Sequence, residues 1–179
     1  MTFQKLRGEE MNRLSPEAFR SAEKFPIYVL LQNIRSMWNV GAIFRSCDAA
    51  RIEKVIITGY TATPPRKEID KTALGATEWV AWEYIQNPIE AISQLKSNGV
   101  TIAALELTTH STPYDSLSQT HFPLCLIVGN EVSGIDDDVL AQCDLSLEIP
   151  QYGVKHSLNA AVSVGIALYE LIKASQRIV

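Results

Sequence analysis

Apolar positions along the chain fall into short runs separated by stretches with helical periodicity. Residues 27–31 are a run of strand length that ends in polar Gln32 and Asn33. From 40 to 51 the pattern turns helical, with Ile43, Phe44, Cys47 and Ala50 on one stripe. Residues 55–57 form the next strand, closed by Gly59, and 60–77 read as a long loop with room for a short helix at 68–74. After a weak strand at 80–85, Asn87-Pro88-Ile89-Glu90 reads as a capping box opening a helix that Asn98-Gly99 ends. Strands at 100–105 and 123–128, a short acidic helix at 136–142, a strand at 145–149 and a helix at 157–174 complete the pattern. Ahead of them all, 13–24 reads as a helix with Ser15 as N-cap and Pro16 at its first position. Strands alternating with helices predict an α/β fold, a mostly parallel sheet flanked by helices. No linker divides 1–179, so one domain is expected, with 1–26 as a short N-terminal helical extension. In such sheets ligands bind beyond the C-terminal ends of the strands.

Composition changes this picture little, but charge distribution does. The 179 residues are 46% hydrophobic and carry a formal net charge of −4, which excludes a generic basic nucleic-acid coat. Residues 1–71 nevertheless hold twelve Lys/Arg against eight Asp/Glu, whereas 72–179 hold four against twelve. Such asymmetry can mark a nucleic-acid face that the average conceals. Cys47, Cys125 and Cys143 are widely spaced in apolar company, as expected of reduced core or near-core thiols rather than a disulfide framework or zinc site. The polar N-terminus does not read as a signal peptide, and the most apolar helix, 158–172, contains Asn159, Ser163 and Glu170. It is also shorter than the roughly 20 apolar residues of a membrane span. A soluble, cytoplasmic protein with no membrane partner is expected.

Familiar nucleotide signatures are missing. There is no GxGxxG, and residues 129–134 have phosphate-loop glycine spacing without the lysine and hydroxyl that should follow. No His/Cys/Asp/Glu group has metal-ligand spacing, so no metal is expected. Three strand-to-helix loops carry the chemistry instead. The first holds Asn39, Gly41, Ile43 and Arg45; Asn39 is placed to cap the helix, and Gly41 to admit another backbone closely. The second runs from an apolar strand into a turn containing Gly129, Glu131 and Gly134. The third holds Ile149 and Pro150, then Lys155 and His156, then Ser157, Leu158 and Asn159. Ser157 there reads as the N-cap of a helix apolar almost all round, hence one buried in the core or at an oligomer interface.

Together, in this order, the loops resemble the three signature motifs of the SpoU (TrmH-like) RNA ribose 2′-O-methyltransferases of the SPOUT superfamily. The pattern is N-x-G-x-I-x-R, then G-x-E-x-x-G, then I-P-x(7)-S-L-N before an apolar helix, and the likeness spans about 27–172. The resemblance implies a deep trefoil knot at about 123–174, S-adenosylmethionine as cofactor, a homodimer and an RNA substrate, tRNA or rRNA. It implies a cofactor held near Leu105, Gly129 and Ile149, with Ser157 and Leu158 closing over it. It further implies a catalytic set of Asn39, Arg45, Glu131, Ser157 and Asn159. In the family the arginine is proposed to handle the 2′-hydroxyl proton; a guanidinium pKa above about 12 suits an electrostatic clamp better. Arg45 would serve its own or the partner's site. Candidates for RNA phosphate are Arg35, Arg66, Lys67, Lys71 and Lys155, and Trp38 either stacks on a base or packs in the core or an interface. Asn33 stands where many relatives have an acidic residue, so a carboxylate role there is lost. The competing reading is a non-catalytic knotted dimer that binds RNA as an assembly factor.

Overall fold

A computed structural model describes residues 2–11 and 13–176; positions 1, 12 and 177–179 of the expected single domain lie outside them. In chain order the elements are α1 (Pro16–Ser21), β1 (Phe25–Gln32), α2 (Met37–Ala49), β2 (Ile52–Thr58), α3 (Lys67–Ala73), β3 (Trp82–Tyr84) and α4 (Pro88–Ser97). They continue with β4 (Thr101–Leu105), β5 (Thr112–Pro113), β6 (Leu124–Val128), α5 (Asp137–Leu140), β7 (Leu145–Glu148) and α6 (Ala160–Gln176). The strands form one sheet in the order β3-β2-β1-β6-β4-β7-β5, every named pairing parallel. This bears out the expected α/β class.

A parallel sheet must be covered on both faces, and the alternation along its strands does this. Val29 and Leu31 of β1, with Leu124, Leu126 and Val128 of β6, point into a core with Val40, Ile43 and Phe44 of α2 and Val164, Leu168 and Leu171 of α6. Their neighbours Leu30, Cys125 and Ile127 point the other way, against Ala91, Ile92 and Leu95 of α4 and Val139 of α5. Every residue of β6 is buried. Because the strands run one way, the loops leaving β1, β4, β6 and β7 emerge at one end of the sheet. After β7, beyond β4 in the sheet, the chain returns past β4 and β6 to pack α6 on α2 and β1.

Several expected boundaries move, each for a local reason. The α2 N-cap is Ser36, whose hydroxyl accepts from the Asn39 N–H at 3.3 Å, so Asn39 is not the cap and its side chain is free for other work. Nor is Ser157 the α6 cap. That helix begins at Ala160, and the Asn159 side-chain oxygen accepts from the N–H groups of Ala161 and Val162 at 3.0 and 3.3 Å. Asn87 caps α4 through the Ile89 N–H at 2.9 Å, but Glu90 pairs with Gln94 and completes no capping box. The N-terminal helix shrinks to α1 and the acidic one to α5. Edge strand β5 has two residues, one a proline, and left no alternation to read. Cys47 and Cys125 are buried and Cys143 is half-buried.

Gly41 sits where α3 crosses α2. A Cβ there would lie 2.2 Å from both the Ile69 carbonyl oxygen and the Thr72 hydroxyl, which itself donates to the Trp38 carbonyl at 2.9 Å. Since one contact is backbone, the helices must separate to admit a methyl. Gly41→Ala is expected to lower stability by about 1–3 kcal/mol in urea unfolding; an unchanged midpoint would show that α3 is not seated on α2.

Candidate functional site

The site is built from the strand exits. As β1 ends, Asn33 turns the chain with φ +58°, a left-handed conformation that asparagine tolerates better than most residues. Its amide does what a carboxylate there could not: Nδ2 donates to Asp136 Oδ2 at 3.1 Å while Oδ1 accepts from the Tyr60 N–H at 3.2 Å. Gln32 donates to the same Asp136 carboxylate and accepts its backbone N–H at 3.1 Å. A second acid at position 33 would face Asp136 and repel it.

The turn after β6 is folded on Asn130. Its side-chain oxygen accepts from the N–H groups of Val132 and Ser133 at 2.8 and 3.0 Å, and its Nδ2 donates to the Asn33 carbonyl at 2.9 Å. Gly129 has no room for a side chain: a Cβ would lie 2.4 Å from the Gly134 carbonyl carbon. The turn aims Glu131 at the start of α2. One carboxylate oxygen accepts from the Arg35 N–H at 2.9 Å; the other accepts from the Ser36 N–H at 3.0 Å and from Asn39 Nδ2 at 2.7 Å. The desolvation that the site imposes pushes the Glu131 carboxyl up. The Arg35 N–H, the Asn39 amide and the Ser36 N–H outweigh it and hold the group below its ordinary 4.5. Asn39 Oδ1 in turn accepts from Asn159 Nδ2 at 3.0 Å. Residues from the three sequence motifs thus meet in one chain of hydrogen bonds, Glu131–Asn39–Asn159.

Beside this chain lies a cavity of about 600 Å³ between the exits of β4, β6 and β7. Leu105, Gly129, Glu131, Ile149, Ser157 and Leu158 all line it. The walls mix apolar side chains with the carboxylates of Glu106, Glu131 and Glu148, and His156 is the one basic side chain among them. Sequence reasoning missed Glu106: its carboxylate accepts from the Leu107 and Ile135 N–H groups at 3.1 and 3.2 Å, tying the β4 exit to the β6 turn. A single acid after an apolar strand gives no motif to recognise. Among the described residues no group of three or more His, Cys, Asp or Glu could hold a metal, and no helix is long and apolar enough to cross a membrane.

The other singled-out residues fall outside the hydrogen-bonded chain. Arg45 is exposed and makes no hydrogen bond or ion pair among the described residues. Six residues along α2 place it about 9 Å up the axis from Asn39 and roughly a third of a turn round. Arg35 joins Ser36, Asn39 and Glu131 around a smaller hollow of about 260 Å³. Arg66, Lys67 and Lys71 border a separate shallow surface with Pro65 and Asp70, and Lys155 is exposed in the loop before α6. Trp38 is 48% exposed, with Lys71 Nζ 5.3 Å from its ring centroid.

Glu131→Gln puts an amide where three donors converge and is expected to cost about 1–2 kcal/mol in urea unfolding at neutral pH. A carboxyl held low in the fold stabilises it above the unfolded-state value and loses that contribution as pH falls through the folded value. The difference between wild type and variant should therefore be constant above pH 4.5 and shrink below it. A difference that grew on acidification would contradict the arrangement.

With the geometry in place, the likeness to known proteins is specific. The family model of the SpoU rRNA Methylase family matches residues 26–169. A tRNA (guanosine(18)-2′-O)-methyltransferase of Aquifex aeolicus is 32% identical over 145 residues, 80% of this chain and 67% of that one. A Staphylococcus epidermidis protein of the TrmH family is 29% identical over 84% of this chain, which spans only 59% of that relative's length. The crystal structure of the A. aeolicus TrmH/SpoU tRNA modifying enzyme superposes with a TM-score of 0.79 at 28% identity, over 90% of this chain and 82% of that one. An AdoMet-bound rRNA methyltransferase from Sinorhizobium meliloti gives 0.77 at 27% identity, over 90% and 61%. Matched along most of its length and carrying all three motifs joined in one chain of hydrogen bonds, the chain belongs to the SpoU methylase family.

Proposed function

We propose that this protein transfers a methyl group from S-adenosylmethionine to a ribose 2′-hydroxyl of tRNA or rRNA. The observation that carries the reading is the joining of three distant loops through Glu131, Asn39 and Asn159, beside a cavity that the second and third of those loops line. The cavity suits this cofactor in chemistry: apolar wall from Leu105, Ile149 and Leu158 for the adenine, and carboxylates for a molecule with a sulfonium and an ammonium. When bound, the cofactor would supply an electrophilic methyl group to the ribose oxygen, its methyl–sulfur bond breaking to leave the thioether while the hydroxyl proton passes to water. The protein must align that oxygen and stabilise the charge it develops. Asn39 and Asn159, fixed by Glu131, are the positioning groups, and Ser157 and Leu158 sit at the cavity wall to close over the cofactor.

Arg45 is the cation for the developing alkoxide or the adjacent phosphate. It retains its proton, so it acts by charge. Its position on α2 supports service to a partner's site. The next residue, Ser46, faces Gly165 of α6, and on that helix Val162, Ile166 and Tyr169 form an exposed apolar stripe. A homodimer packed on that stripe would carry Arg45 across the two-fold. RNA phosphates would meet Arg35, Arg66, Lys67, Lys71 and Lys155, which gives the basic excess of residues 1–71 a use. The return of the chain from β7 to α6 is where the expected knot would be threaded.

Incubation with S-adenosylmethionine and separate tRNA and rRNA fractions, followed by nucleoside mass spectrometry, should show one 2′-O-methylnucleoside rising in one fraction. Calorimetric cofactor binding without any new methylnucleoside would favour the binding-only reading instead. Arg45→Ala should reduce methyl transfer at least about a hundredfold, a typical loss for removing one stabilising group, while cofactor affinity stays within a few fold. Near-normal turnover would remove Arg45 from the chemistry.

A further inference from the structure

Tyr60 is 63% exposed, yet it is held like a residue with a task. Its hydroxyl accepts from Asn130 Nδ2 at 2.8 Å, in the turn that presents Glu131, and its N–H donates to Asn33 Oδ1 at 3.2 Å. The preceding Gly59 carbonyl accepts from the Tyr84 hydroxyl at 2.8 Å, which brings a second, 44% exposed tyrosine alongside. None of these bonds needs an aromatic ring: a backbone group or water would satisfy Asn130 equally well. Burial does not explain the ring either, since most of it faces solvent.

We propose that the Tyr60 ring is a stacking platform for a nucleobase of the RNA, next to the Asn39–Glu131 cluster. This rests on the RNA methyl-transfer reading above. Stacking on an aromatic face suits every base, and a ring already fixed at both ends loses little freedom when one lands on it. The Tyr60 oxygen accepts from Asn130 and donates to no described residue, so its own hydrogen remains available for a base edge or phosphate oxygen. The surroundings favour a polyanion. Arg66 ends the loop on which Tyr60 lies and Lys67 opens α3 directly after it, and Arg35 lies just past Asn33 on the strand exit to which Tyr60 is bonded. The acids nearby are engaged: Glu131 by three donors, and Asp136 by Gln32 and Asn33. A platform on the Asn130 side of Glu131 would hold a base next to the ribose that Asn39 positions.

The test compares Tyr60→Ala and Tyr60→Phe with wild type in fluorescence-anisotropy binding to end-labelled bulk tRNA and rRNA, with calorimetric S-adenosylmethionine binding as the control. Tyr60→Ala should weaken binding of the preferred RNA about tenfold or more and leave cofactor affinity within twofold. Tyr60→Phe, which keeps the ring, should stay within about threefold of wild type for RNA. Unchanged RNA binding by Tyr60→Ala would overturn the proposal. So would a loss in Tyr60→Phe equal to that in Tyr60→Ala, or a parallel loss of cofactor binding, since each marks a merely structural role. If wild type methylates neither RNA, the methyl-transfer reading fails, while the binding comparison still decides whether Tyr60 receives a base.

Discussion

The site depends on one carboxylate. Glu131 gathers two backbone N–H groups at the first residues after β1 and the Asn39 side chain within the first turn of α2. Those donors surround the N-terminus of α2, the positive end of a helix, where an anion is favoured in any case, so dipole and direct hydrogen bonds act in the same direction. Through Asn39 the constraint reaches Asn159, which caps α6 with its other amide atom. One charge thereby fixes the start of α2 relative to the start of α6, and with it the mouth of the cavity between β4, β6 and β7.

The parallel sheet makes this possible. With every strand running the same way, the exits of β1, β4, β6 and β7 share one end, and residues up to 120 positions apart become hydrogen-bond partners. Glycine supplies the close approaches on which the geometry rests, at Gly129 inside the β6 turn and at Gly41 between α2 and α3. Polar side chains around Asn33, Asn130 and Asp136 replace the backbone pairing that ends with the strands. The result is a rigid rim next to a more exposed loop, in which Tyr152 and Val154 stand almost wholly in solvent.

Much of this was legible in the chain, and what was not has physical reasons. Apolar runs marked the major strands because strands covered on both faces are buried continuously, as in β6, and the second and third motifs located loops that line the cavity. Ser15 and Asn87 cap α1 and α4 as expected, whereas the assignments at α2 and α6 failed because Ser36, Asn39, Ser157 and Asn159 are all competent caps at neighbouring positions, and only tertiary contacts select among them. Asn39 is taken by Glu131 and so leaves the cap to Ser36, whereas Asn159 has atoms enough for both tasks. Glu106 and Tyr60 went unnoticed because each owes its role to a partner far along the chain, Ile135 and Asn130 respectively. Trp38, expected either to pack or to stack, proves half-exposed beneath a lysine.

If the Glu131–Asn39 bond organises the site, the two residues must act as a unit. A double-mutant cycle with Glu131→Gln, Asn39→Ala and the pair tests this directly in urea unfolding and in methyl transfer. Non-additivity of about 1 kcal/mol or more is expected in both, as for residues sharing one hydrogen-bond network. Additive losses within about 0.5 kcal/mol in both would show that the two side chains work independently, and would contradict the central place given to that carboxylate.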